Sequence, residues 1–368
     1  MSYKNNLFAV IMAGGKGVRF WPASRSDHPK QLLKIIGNKP LIQQAVERLL
    51  PIMPPQNIII ITNKNYVDKI SQILPYIPLE NIIGEPVGKD TAPCLVLAAA
   101  VIAARSDENS KPVMAVLPAD HIIKNEKSFK NVILDSSLAA ENGYIVTIGI
   151  TPDSPSTGYG YIQIGENVEL KNENETIFYK SYGFKEKPDK KTAEKFLNDG
   201  NYKWNSGMFI WSLETLINAF KTHTPDLAVG ITILKDAFLK DNFNQAMNEF
   251  YSSCQKISID YAVMEKAKNI IVAESTFDWD DVGSWPALKN HIKPDKNNNF
   301  TLGKTLQLDS SNCIISTSKD HLIATVDVEN LIIVHTKDAT LICNSNSAQK
   351  IKDLVELLNE DENKKGYI

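Results

Sequence analysis

Six apolar residues, Leu7-Phe8-Ala9-Val10-Ile11-Met12, break directly into Ala13-Gly14-Gly15-Lys16-Gly17-Val18-Arg19-Phe20, and no other stretch restricts the fold as strongly. An all-apolar strand needs cover on both faces, which is the situation of a parallel sheet flanked by helices. Three glycines in four positions let the backbone approach a ligand and turn its N–H groups inward as an anion-binding concavity. Lys16, Arg19 and, beyond Trp21-Pro22 and His28-Pro29, Lys30 add fixed positive charge. The stretch reads as a triphosphate pocket. It is not a Walker A loop, because no Gly-Lys-Ser/Thr closes it, and its spacing is not G-x-G-x-x-G. A structural strand-to-helix turn would use the same glycines.

The chain has 368 residues, which suits one large domain and a smaller one. A net charge of −3 gives no overall basic field, so nucleic acid is not an expected partner. No apolar run reaches the roughly 20 residues of a membrane span, and no secretory pattern opens the chain. Cys94, Cys254, Cys313 and Cys343 are widely spaced in apolar contexts and read as reduced core thiols, which points to the cytoplasm.

Strand-like runs at residues 7–12, 57–62, 113–117 and 144–148 alternate with helical patterns at 40–50, 92–104 and 126–141. That alternation predicts an α/β fold, a Rossmann-like mixed and mostly parallel sheet with helices on both faces. Ligands of such sheets gather beyond the carboxyl ends of the strands, so the loops after Met12, Gly84 and Leu117 should converge. The second of them is Glu85-Pro86-Val87-Gly88-Lys89-Asp90-Thr91-Ala92-Pro93. Asp90 or Thr91 caps the following helix in one reading and touches ligand in another. The third loop carries Asp120, a carboxylate suited to a hard divalent ion or, alternatively, to an Asx-turn. His121 orients that loop.

Further on, helical patterns at 213–222, 226–239 and 242–250 pack on the sheet, and residues 258–266 start a helix capped by Ser258 or Asp260. Beyond a linker at 296–299, strand-like runs at 305–308, 312–316, 322–325, 331–336 and 339–343 predict a small β meander or short β-helix, closed by a helix at 348–359. The tail at 360–365 reads as frayed.

Gly-Gly-x-Gly-x-Arg-Phe, a following Pro and the downstream Pro-Lys resemble the signature of sugar-1-phosphate nucleotidyltransferases. Ser258-Ile259-Asp260-Tyr261-Ala262-Val263-Met264-Glu265-Lys266 and Trp279-Asp280-Asp281-Val282-Gly283-Ser284-Trp285 are similar to motifs of the mannose-1-phosphate guanylyltransferase branch. The resemblance covers nearly the whole chain. It implies transfer of GMP from GTP to mannose 1-phosphate with release of pyrophosphate. Residues 1–294 would form the transferase domain, its nucleotide half about 1–150 and its sugar half about 151–294, and residues 295–368 a β-rich domain supporting a homodimer.

The site residues follow from the same resemblance. Arg19 and Lys30 would be catalytic. Ala13, Gly14, Gly15, Lys16, Gly17, Glu85, Pro86, Asp90 and Thr91 would bind nucleotide. Gly158, Tyr159, Glu186, Lys187, Asn205 and Asp260 would bind the sugar phosphate, with residues 156–162 as a lid strand. Asp120 and Asp281 would hold Mg²⁺, Asp280 standing at a variable position. The sequence departs from the branch at Lys89 and Asp90, where Arg and Asn are usual. An Asp accepts from guanine's N1 and N2 donors but lacks the amide's own donors. A sister enzyme using another base or sugar, and a non-catalytic nucleotide-sugar sensor, are the alternative readings.

Overall fold

A computed structural model describes residues 6–107 and 109–368, which fold into two compact units. The first runs to Gly14 and resumes over Ala45–Ala119 and Ile123–Trp279. The second gathers Gly15–Gln44, Asp120–Ile122 and Asp280–Ile368.

Strands of the first part of the chain are β1 (Leu7–Ala13), β2 (Ile58–Asn63), β3 (Ile82–Glu85), β4 (Val113–Pro118) and the short β5 (Ile122–Ile123). They are followed by β6 (Ile145–Ile150), β7 (Tyr161–Asn167), β8 (Phe178–Lys185), β9 (Tyr202–Ser212), β10 (Ile270–Glu274) and the short β11 (Trp279–Asp280). Nine of them form one sheet in the order β3-β2-β1-β4-β9-β6-β10-β8-β7. The run β3-β2-β1-β4 is parallel, with Val10 paired to Ile59 on one side and Val116 on the other. β9 lies antiparallel to β4, β6 and β7 and so ends the parallel run.

β1 is apolar throughout because both of its faces are covered. Val10, Ile59, Met114 and Val116 enter a cluster with helix Thr91–Arg105, which is buried without interruption from Ala92 to Ile102. A helix that is apolar all round has to lie inside, and this one is packed against helix Pro225–Leu239 as well. Ala115 and Leu117 alternate to the other face of β4, on which helix Glu126–Glu141 packs.

In the second unit the strands are β12 (Phe300–Leu302), β13 (Lys304–Leu308), β14 (Ile314–Ser316), β15 (Leu322–Val326), β16 (Leu331–His335) and β17 (Thr340–Asn344). β12, β14 and β16 pair in parallel, as do β13 and β15, so a β-helix is formed and a meander is excluded. Lys304 pairs with Leu322 and Ile314 with Ile332, a coil of 18 residues. Its corners fall at Asp309, Asn312, Asp327 and Asn330, all at positive φ, where Asx residues are tolerated best. β17 closes antiparallel on β16.

The core of this unit explains why residues just after the glycine loop belong to it. Phe20 and Trp21 are buried with Trp285, Ile314, Ile332, Ile351 and Val355. The Phe20 and Trp285 rings lie 5.1 Å apart, and Trp285 Nε1 donates to the Trp21 carbonyl at 3.2 Å.

Three local expectations are corrected. Residues 258–266 are not an ordinary α-helix, since Asp260–Met264 is a π-helical turn, although Ser258 Oγ does accept from Tyr261 N at 3.4 Å at its start. The expected lid strand at 156–162 begins only at Tyr161, because residues 156–160 are irregular and Tyr161 itself is fully buried. Of the four free cysteines, Cys94 and Cys313 are buried, while Cys254 and Cys343 are only partly so.

Candidate active site

In the second unit the chemistry centres on Lys30. Pro29 leads into a short 3-10 turn, Lys30–Leu32, that turns the lysine inward, leaving the residue 6% exposed. Its Nζ donates to Asp120 Oδ2 at 2.8 Å and to the Asp281 backbone carbonyl at 2.6 Å. Two residues far apart in sequence thus meet at one ammonium. Gly17 is the reason it fits: at φ +64, a Cβ there would stand 2.2 Å from Lys30 Cβ. The third glycine therefore admits the lysine backbone and side chain, a demand separate from any phosphate. Gly15 has open space around it, and Lys16 and Arg19 are exposed cations on the same loop.

Desolvation pushes the Asp120 carboxyl upward, but Lys30 and His121 reverse this and hold it below the usual carboxylate range. A third of its side-chain surface stays open. Asp281 directly follows Asp280, and a Cβ at Gly283 would lie 3.1 Å from Asp281 Oδ2, so that glycine clears its carboxylate. Among the described residues no three His, Cys, Asp or Glu side chains group as a metal cage. Magnesium does not need one: it takes one or two carboxylates and completes its shell with phosphate oxygens and water. A carboxylate has about four lone-pair sites, so Asp120 can hold Lys30 and still offer oxygen to a cation. The donor set fits Mg²⁺.

In the first unit the loops after β1, β3 and β4 approach one another. Ala119 N donates to the Met12 carbonyl at 3.1 Å, and a Cβ on Gly14 would lie 3.3 Å from Glu85 Oε2. Ala13 ends β1 buried, its carbonyl accepting from Thr62 Oγ1 at 3.0 Å. Glu85 is buried, and Tyr251 donates its hydroxyl to Glu85 Oε1 at 2.8 Å. Pro86 beside it is half-buried. Burial pushes the Glu85 carboxyl up to about 7; the Tyr251 bond opposes the shift and Asp90 adds to it.

The sign of the linkage is set by that rise. Between pH 4.5 and about 7 the folded state keeps a proton that the unfolded chain has released, so stability falls as pH rises through this window. Glu85→Gln, uncharged throughout, is expected to remove that slope, worth about 3 kcal/mol at most. Thermal melting against pH reads it, and an identical slope in both proteins would show that Glu85 ionises normally.

Asp90 is exposed and caps the next helix, its Oδ1 accepting from Thr91 N at 2.8 Å. It does so at φ +73, ψ −173, a conformation costly for any residue but glycine. The Thr91 hydroxyl accepts from Ile259 N at 2.8 Å, Ala92 N donates to Ile257 O, and Lys89 Nζ donates to Cys254 O. The 89–92 segment is thereby stitched to the chain that leads into Asp260.

Asp260 in turn accepts from Asn205 Nδ2 at 3.1 Å. Asn205 Oδ1 accepts from Thr147 Oγ1 and Gly207 N, which orients the amide. Burial and then the nearby Glu186 carboxylate push Asp260 up to about 6. Lys187 Nζ pairs with Glu186 Oε1 at 2.6 Å. Gly160 is required here, because a Cβ on it would meet Glu186 Oε2 at 2.5 Å. Tyr159 sets its ring edge-on to Trp204 and Trp279, at 4.8 and 5.2 Å, while Gly158 is exposed in the loop before it. Such a group offers carboxylates, an amide and an aromatic wall, the equipment for polyhydroxylated ligands.

Sequence reasoning missed Tyr251, which donates to Glu85, and His291, which donates to Asp280. Neither stands in a recognisable motif, and each gains its role only from the partner that the fold brings to it.

The mixed sheet with its glycine loop and the parallel β-helix that follows are those of a nucleotidyl-transferring enzyme. The family model described as nucleotidyl transferase matches residues 8–298, and the one described as MannoseP isomerase/GMP-like beta-helix domain matches residues 303–358. A mannose-1-phosphate guanylyltransferase of Klebsiella pneumoniae is 39% identical over 363 residues, covering 97% of this chain and 74% of the relative. One from Escherichia coli is 38% identical over 360 residues, with the same coverages. A crystal structure from Thermus thermophilus, described as a mannose-1-phosphate geranyltransferase, superposes with a TM-score of 0.83 at 31% identity, covering 96% of this chain and 99% of that one. The chain belongs to the nucleotidyltransferase family, within its mannose-1-phosphate guanylyltransferase branch.

Proposed function

We propose that this protein transfers GMP from GTP to mannose 1-phosphate, giving GDP-mannose and pyrophosphate. The observation that carries the reading is Lys30, a buried ammonium shared by Asp120 and Asp281 and admitted by a glycine of the phosphate-type loop. A phosphate monoester is already a competent nucleophile near neutral pH, so no general base is needed. Its oxygen attacks the α-phosphorus in line, and the bond from that phosphorus to the β-phosphoryl oxygen breaks.

Lys30 stabilises the charge that gathers on the transferring and leaving phosphates, where a prepositioned cation in a dry slot acts more strongly in the transition state than in the ground state. Arg19, Lys16 and the amides of residues 14–17 receive the pyrophosphate. Glu85, Pro86, Asp90 and Thr91 serve the nucleoside; Gly158, Tyr159, Glu186, Lys187, Asn205 and Asp260 serve the mannose. Asp120 and Asp281 would hold Mg²⁺, which when bound screens the two approaching phosphate anions.

Mixing GTP and mannose 1-phosphate with the protein should release pyrophosphate. A panel of nucleoside triphosphates tests the base, on which Asp90 in place of an amide bears. No release with any triphosphate would leave the sensor reading instead. Asp281→Asn keeps the backbone carbonyl that meets Lys30 and alters only the carboxylate. It is expected to shift the Mg²⁺ dependence of turnover to at least about tenfold higher concentration, by analogy with lost ligand-shell groups; an unchanged Mg²⁺ titration would remove Asp281 from the ligand set.

A homodimer in the cytoplasm is part of the same proposal. The four free thiols suit a reducing compartment, and no described helix is long and apolar enough to cross a membrane. Leu306, Leu308, Leu322 and Val326 expose an apolar stripe on β13 and β15 suited to a second copy.

A further inference from the structure

The turn that carries Asp281 is strained, and a neighbouring side chain holds the strain in place. Val282 adopts φ +46, a left-handed conformation that a β-branched side chain avoids, yet it is fully buried. Strain of this kind persists only where the surroundings enforce it. The Val282 side chain is packed in the core of its unit, and Asp280 bonds across the turn beside it. Its Oδ1 accepts from Val282 N at 2.7 Å. Its Oδ2 accepts from Asn290 Nδ2 at 2.9 Å and from His291 Nε2 at 2.8 Å. The His291 side chain is 4% exposed, and its Nδ1 is buried without a hydrogen-bond partner. A ring that leaves one nitrogen orphaned in order to serve a carboxylate with the other is there for that carboxylate. Between Asp280 and Val282 stands the Asp281 carbonyl that accepts from Lys30 Nζ at 2.6 Å.

We propose that Asp280, braced by His291 and Asn290, is a positioning residue for Lys30: it locks the Val282 turn so that the Asp281 carbonyl keeps the ammonium in place. The residue next to the expected metal carboxylate, which stands at a variable position of the motif, thus acts through the backbone. The inference rests on the transfer reaction proposed above and on the part of Lys30 in it. Wild-type protein that releases no pyrophosphate would end that reading, whereas an Asp280 variant with unaltered Lys30 would end only this one.

Asp280→Ala should lower kcat by about 10- to 100-fold, the scale of a misplaced reacting group, with KM for GTP and mannose 1-phosphate within about twofold of wild type. Lys30, freed from its carbonyl, should become acylated faster by a lysine-directed ester, followed by mass spectrometry of the apo protein. In a Val282→Gly background the turn needs no enforcement, since glycine takes positive φ at no steric cost, and adding Asp280→Ala should cost less than in the Val282 protein. His291→Gln, which keeps a donor at the Nε2 position, should retain most of the kcat that His291→Ala loses; this pair carries the test if Asp280→Ala does not fold. An equal loss from Asp280→Ala in both backgrounds, a rise in KM with kcat intact, or His291→Gln as impaired as His291→Ala would overturn the proposal.

Discussion

Lys30→Ala is expected to lower turnover by about 10²-fold or more, the loss found when a prepositioned electrostatic stabiliser is removed. The side chain is buried and gives two of its three N–H groups to Asp120 Oδ2 and the Asp281 carbonyl. Its removal also withdraws the cation that holds the Asp120 carboxyl low. A depressed carboxyl contributes stability that is present above the ordinary carboxylate range and lost as pH falls through the folded value. The variant should therefore lose stability at neutral pH and show a flatter acid limb in its melting profile. Arginine is not a substitute, because its planar fork is larger than a slot already in contact with Gly17. Steady-state pyrophosphate release is the measurement, and near-normal turnover in Lys30→Ala would take Lys30 out of the chemistry.

Gly17→Ala is expected to be strongly disruptive, since the Cβ approach there is the shortest at any of the glycines. The new Cβ would overlap Lys30 Cβ at 2.2 Å and approach Lys30 N at 3.1 Å, both at a backbone φ of +64. Overpacking of about 1–3 kcal/mol and a left-handed penalty of about 1–2 kcal/mol together take a large share of a marginal folding stability. Whatever folds will have Lys30 displaced and so lose turnover too. Gly15→Ala is the informative comparison for stability, because no atom lies within 4 Å of a Cβ there. Denaturant midpoints should separate the two variants clearly; similar midpoints would mean that Gly17 does not carry the close approach.

The parallel half of the sheet was legible because its strands are short, apolar on both faces and separated by helical patterns, all local properties of the chain. The β-helix was half legible. Its strand spacing was visible, but parallel pairing with an 18-residue coil depends on which strands meet, and Asp309, Asn312, Asp327 and Asn330 mark corners only once that is known. The π-helical turn at Asp260–Met264 was not legible, since Ser258 and Asp260 are ordinary cap residues by type. Asp90 shows the converse: its side chain makes the capping bond written in its residue type.

From the order of its residues alone, this chain declared an apolar strand and a glycine loop with its cations, because strand burial and backbone freedom are decided by a residue and its near neighbours. Only tertiary structure brought Lys30 to both Asp120 and Asp281, seated Tyr251 on Glu85, and let Asp280 and His291 brace a strained turn. Those contacts join positions up to about 250 residues apart. A hydrogen bond over that distance in sequence leaves no local trace, since either residue would look the same without its partner.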